Sequence, residues 1–185
     1  MTAPARLTEA EEIVPGHSVG RLQLGAKKLE LGRPIFSWKT KPSVGSTRGS
    51  CGQTEIDWFG DQAIIDAYLV DDSVYQIDVS PADLFTVQGV QLSHTTTLPK
   101  LRTLMPNGTL LRWTGSAFMS PAGEDILFWV SVERGIAFRL DYDPNNVRIH
   151  KLGSRFVRSI SVFKTAANFQ PGGCLPEGSE LQPVN

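Results

Sequence analysis

No part of this 185-residue chain approaches the ~18 consecutive apolar residues that a membrane-crossing helix needs. The opening residues 1–12 lack a basic region followed by an apolar core, so no signal peptide is expected in the sequence as it stands, although a chain whose leader had been removed would read the same way. Lys and Arg are scattered, without a basic run interleaved with aromatics, which argues against nucleic-acid binding. The three histidines, His17, His94 and His150, lie far apart, and none stands at helical metal-ligand spacing or beside a cysteine. Zinc is not expected, and no cofactor or metal is called for.

Cysteine is nearly absent as well. Cys51 stands beside Gly52, and Cys174 lies in the Gly- and Pro-rich stretch 170–179. One disulfide between two loop-like segments is one reading, and two unrelated reduced thiols is the other. The first places the protein in the periplasm or outside the cell, the second in the cytoplasm.

What is present is an ordinary globular composition, 41% apolar with a formal net charge of -1. A chain of this size buries about 70% of its unfolded surface. Residues 1–83 carry 8 basic and 12 acidic side chains against 10 and 7 in residues 84–185, so the halves differ in sign. Either an oriented contact surface or a chance split on a solvated surface accounts for that.

The strongest internal signal is repetition. Val74-Tyr-Gln-Ile-Asp-Val79 is matched by Val157-Arg-Ser-Ile-Ser-Val162, and the run Gly20 to Gly25 by Gly89 to Ser93. Each copy reads as a Gln-Leu strand, a short helix, strands, and a closing Val-x-x-Ile-x-Val strand. The expected architecture is therefore α+β, two tandem units, each a short helical segment plus an antiparallel sheet. The first spans 13–83 and the second 84–165, with 166–185 an irregular tail. Within them, Ser18–Gly25 reads as one half-buried strand, 26–34 as a helical stub, and 39–50 as a long exposed loop. A meander follows over 54–59, 63–70 and 74–79. Thr95–Met105 reads as the better helix, with a hydroxyl N-cap, Pro99 in the first turn and Leu98, Leu101, Leu104 and Met105 along one face. Strands are expected again at 109–114, 126–132, 136–141 and 156–163.

The second copy, with Gly89-Val-Gln-Leu92, its helix, Met105-Pro-Asn-Gly108, Gly135-Ile-Ala-Phe-Arg-Leu-Asp141 and the closing Val-x-x-Ile-x-Val, resembles the group of the beta-lactamase inhibitor protein and the outer-membrane assembly lipoproteins. The resemblance covers roughly residues 13 to 163 and rests on Gly, Leu and Val positions that shape a fold. It implies a helical segment paired with an antiparallel sheet, and a function in protein binding rather than catalysis. It carries over no functional residue. The first helix is about a turn short, and Ser93-His94 replaces a Gly-polar pair.

Chemical motifs are weak. Gly16-His-Ser-Val-Gly20 matches a nucleophile elbow, but Pro15 precedes it and a period-two strand follows, where the elbow needs a buried strand and then a helix. Asp141-Tyr-Asp-Pro-Asn-Asn146 resembles the start of a calcium loop, yet Asn146 stands where the sharp-turn Gly belongs and Leu152 where the bidentate Glu belongs. A hairpin connection explains it better. The aromatics say more: an outward-facing Trp38, Trp58, Phe59, Trp113 or Trp129 on a sheet with one free face would anchor a protein partner, the alternative being that they are core.

The expectation is a non-enzymatic protein-binding module, inhibitor-like or assembly-factor-like and exported. Its contact candidates are Trp38, the loop from Lys41 to Arg48, and the outward member of the pair Trp58 and Phe59. The alternative is an enzyme or small-ligand carrier using a cleft between units, with Ser18, His94 and Asp143 as the residues to mutate.

Overall fold

The computed structural model describes residues 10–31, 43–49, 51–60, 63–92, 96–114, 126–141, 155–165, 169–175 and 177–184. In chain order the strands are β1 (Glu11–Val14), β2 (Ser18–Val19), β3 (Leu22–Gln23), β4 (Ser43–Arg48), β5 (Thr54–Phe59), β6 (Ile64–Val70) and β7 (Ser73–Ser80). They continue with β8 (Phe85–Val87), β9 (Val90–Gln91), β10 (Thr109–Thr114), β11 (Ile126–Ser131), β12 (Ile136–Asp141), β13 (Phe156–Phe163) and β14 (Glu180–Pro183). Helix α1 (Leu98–Leu104) lies between β9 and β10 and is the one α-helix among the described residues.

Nine strands form one sheet in the order β14-β10-β11-β12-β13-β7-β6-β5-β4, and five form a second in the order β3-β2-β1-β8-β9. The expectation of a helix with each unit is thereby corrected: the protein is mainly β. The meanders β4–β7 and β10–β13 are joined edge to edge where β7 pairs antiparallel with β13. Segments 13–83 and 84–165 share one core, because β1 also pairs in parallel with β8 in the small sheet.

The described part of the expected first helix, residues 26–31, contains no α-helix. Gly25 N–H donates to Val74 O at 2.7 Å, Val74 N–H to Ala26 O at 3.0 Å, and Lys28 N–H to Asp72 O at 3.0 Å. Of these groups only the Ala26 carbonyl is one that an α-helix over 26–34 would use, and it is held by Val74, while among the described residues a three-residue 3-10 turn, Lys28–Glu30, forms in its place. The expected strand 18–25 is likewise broken. Gly20 adopts φ +53, and Val19 faces Leu22 across a two-residue turn.

Two further expectations are overturned at the sheet edges. Residues 43–48, read as loop, are β4, paired with β5 from Ser43↔Phe59 to Arg48↔Thr54. Turn-forming residues are tolerated there because an edge strand satisfies only one side of its ladder. The tail residues 180–183 are β14, hydrogen-bonded to β10, and Pro183 is acceptable on an edge for the same reason. Helix α1 is shorter than expected, and its Thr97 N-cap makes no side-chain cap bond.

One face of the large sheet is covered. Ile56, Trp58, Ile65, Ile77, Val79, Trp129, Phe138 and Ile160 pack there against Ile13, Phe85 and Val87 of the small sheet and Leu98 and Leu101 of α1. Trp129 Nε1 donates to Met105 O at 3.1 Å, so the burial of the indole leaves no orphaned donor. Strand β11 is buried along its whole length, because Ile126, Phe128 and Val130 point to the second face into a smaller cluster with Phe163 and Phe169.

Candidate functional site

The second face of the large sheet has two halves of different chemistry. Over β10 and β11 it is apolar, with Leu111, Trp113, Phe128 and Val130, joined by Phe163 from β13. Over β5–β7 the outward positions of the period-two pattern hold Glu55, Asp57, Asp66, Tyr68, Gln76 and Asp78. The register places Gly45, Asp57, Asp66, Asp78 and Ser161 in one row across five neighbouring strands, so three aspartates stand directly opposite one another.

Like charges at directly opposed positions repel, and here burial adds to the cost. Asp66 is pushed up to about 8, first by burial and then by repulsion from Asp78, Asp57 and Glu55. Asp78 is pushed up to about 6 by burial, partly offset by hydrogen bonds from the Ser161 hydroxyl and Gln76. Burial also raises Glu55, with the Asp57 charge adding to it, and burial raises Asp57. Glu55, Asp57 and Asp66 each offer a carboxylate oxygen, and these atoms lie within 4.8 Å of one another. Among the described residues no Lys or Arg pairs with any of the four acids.

A strap crosses this face. Phe169 packs edge-on to Phe128 at 5.1 Å and against Phe163 at 5.5 Å between ring centroids. Gln170 O accepts from Gln76 Nε2 at 2.8 Å, the Gly172 amide donates to Asp78, and Gly173 O accepts from the Tyr75 hydroxyl. The strap ends at Cys174, which is bonded to Cys51. Of the two readings of the cysteines, the disulfide is therefore the one observed. Beside the strap, where the two halves of the face meet, lies a cavity of about 430 Å³ lined by Asp66, Asp78, Trp113, Phe128, Arg139 and Arg158 among others. Arg139 and Arg158 both pair with Asp141, at 3.4 and 3.3 Å.

No protein family, curated protein or solved structure matches this chain.

The residues expected to act sort themselves by position. Trp58 is 3% exposed and belongs to the core, whereas its neighbour Phe59 is 45% exposed and is the outward member of the pair. Phe59 faces Ile64, also exposed, beside the acidic row. Arg48 is exposed at the end of β4, next to the disulfide hairpin. Trp38, Lys41, His94 and Asp143 lie outside the described residues. Ser18 is buried in the small sheet, facing Val14 and Gln23, so the elbow motif is a turn. Gly16 serves it with φ +68 and an N–H donated to Gly135 O at 3.2 Å.

The acidic row was missed by sequence reading. Its signal was the alternation of Glu55 and Asp57 with Ile56 and Trp58, but only the pairing of β5 with β6 brings in Asp66.

Proposed function

We propose that this protein is a non-enzymatic binding module that engages a protein partner through the second face of its large sheet, in an oxidising compartment outside the cytoplasm. The observation that carries the reading is the pairing of apolar and charged surface on that face. Phe59 and Ile64 are exposed beside the acidic row, and Trp113 and Phe128 line a cavity with Arg139 and Arg158. Aromatic and arginine side chains around a recess are what protein interfaces concentrate at their centres. The disulfide supports the compartment, since such bonds persist where thiols are not kept reduced.

A small-ligand carrier is the second reading. The cavity of about 430 Å³ favours it, being within the roughly 300–1,000 Å³ of ligand pockets.

Affinity capture with the intact protein and with a Phe59→Ala/Arg158→Ala double variant separates them. Both side chains are exposed, and neither substitution is expected to move stability by more than about 0.5 kcal/mol. Proteins held by the intact chain and lost by the variant support the binding reading. Equal recovery by both defeats it. Replacing residues 41–48 by Gly and Ser is a poorer test, because it removes strand β4.

A further inference from the structure

We propose that Glu55, Asp57 and Asp66 hold a single hard divalent cation of the calcium class on the second face of the sheet. Glu55 and Asp57 alternate on one side of β5, and Asp66 stands opposite Asp57 on β6. Two oxygens bound to one Ca²⁺ at roughly 2.3–2.6 Å can be up to about 5 Å apart, and Mg²⁺, which gives up its water reluctantly, suits an all-carboxylate cluster less well. The three carboxylates, with ligand atoms within 4.8 Å of one another, can close on the larger ion with little movement.

The independent sign of a ligand is Asp57. The residue is 6% exposed, and its Oδ1 is sealed from solvent with no hydrogen-bond partner, the side-chain hydrogen bond of the carboxyl being to Glu55 inside the cluster. Its Oδ2 lies 3.4 Å from where a Cβ on Gly45 would stand, so the residue directly opposite on the edge strand supplies no side chain to the carboxylate. Buried carboxylates are found paired with a cation or coordinating a metal. No Lys or Arg among the described residues pairs with these three. The site is made of oxygen donors alone, which selects hard cations over zinc or copper. Tyr68 donates a hydrogen bond to Glu55 and orients that carboxylate.

The test is calorimetric titration of the chelator-treated full chain with calcium chloride, together with thermal unfolding. One ion per chain is expected, with a Kd on the order of 10⁻⁴–10⁻³ M, as in extracellular calcium modules. At 10 mM calcium the unfolding midpoint should rise by about 3–11 °C, and magnesium should give a smaller rise. Asp57→Asn should abolish both responses while unfolding, without calcium, at or above the wild-type temperature, because one repelling charge is gone. Asp66→Asn serves the same purpose should Asp57→Asn fail to fold. Asp72→Asn, in an exposed turn, should respond like the wild type. No response of the wild type at 10 mM calcium, a full response in Asp57→Asn, or a magnesium response as large as that of calcium would each overturn the assignment.

Discussion

Asp78 and Ser161 face each other across the junction of the two meanders, and the register around them is symmetric. Ile77 pairs with Val162, and Val79 pairs with Ile160. These are the corresponding positions of the two Val-x-x-Ile-x-Val segments, each strand lying against its counterpart in reverse. The Ser161 hydroxyl donates to the Asp78 carboxyl, so a polar pair sits at the centre of the nine-stranded sheet, and the flanking apolar side chains of both strands point to the covered face.

The acidic row makes stability fall as pH rises. Asp78 and Asp66 hold their protons more tightly folded, at about 6 and about 8, than an unfolded aspartate does near ~3.9. Folded protein therefore binds more protons than unfolded between these values, and the contribution is full below pH ~4 and lost as pH rises to about 8. For Asp78 alone, roughly two pH units correspond to about 3 kcal/mol. The groups facing the pair are Glu55 and Asp57 on β5, Tyr68 on β6, Gln76 on β7 and Ser161 on β13. Urea unfolding in chelator should give a higher midpoint at pH 5 than at pH 8, and Asp66→Asn should flatten the difference.

The disulfide closes a long loop, with 123 residues of sequence separation between Cys51 and Cys174. In the chain-entropy model its loss costs about 4–5 kcal/mol. A Cys51→Ser/Cys174→Ser variant should unfold at much lower urea than the oxidised wild type, and non-reducing peptide mapping should recover the linked pair from the wild type.

Gly135 locks the β11–β12 turn against the β1–β2 turn. Its φ is +65, and a Cβ there would stand 2.2 Å from Phe163 O and 2.7 Å from Gly16 Cα. Both neighbours are backbone, so neither can rotate away. Gly135→Ala should cost about 2–4 kcal/mol, read as a lowered midpoint in thermal or urea unfolding.

Where side-chain alternation dominates, the sequence was readable. Strands β5, β6, β7, β10, β11, β12 and β13 fall close to where Ile, Val, Phe and Trp alternate or run together. Elements decided by partners far along the chain were not. Residues 26–31 carry enough helix-forming Leu, Lys and Glu to suggest a helix, yet the segment is held as extended chain and a 3-10 turn by backbone bonds to Asp72 and Val74. Ser43–Arg48 and Glu180–Pro183 have no strand-like composition and become strands because exposed edges of the large sheet are there to pair with. The site followed the same division. Phe59 could be named from the sequence as one of two adjacent aromatics, whereas the row of Asp57, Asp66 and Asp78 exists only through register.

The use of the second face is tested most directly by hydroxyl-radical footprinting of the protein alone and in complex with a partner recovered by affinity capture. Phe59 and Ile64 report on that face, and Val90 on β9 with Leu29 in the 3-10 turn report on exposed surface elsewhere. The predicted result is loss of oxidation at Phe59 and Ile64 on binding, with Val90 and Leu29 unchanged. Protection of Val90 and Leu29 with Phe59 and Ile64 still reactive would contradict it.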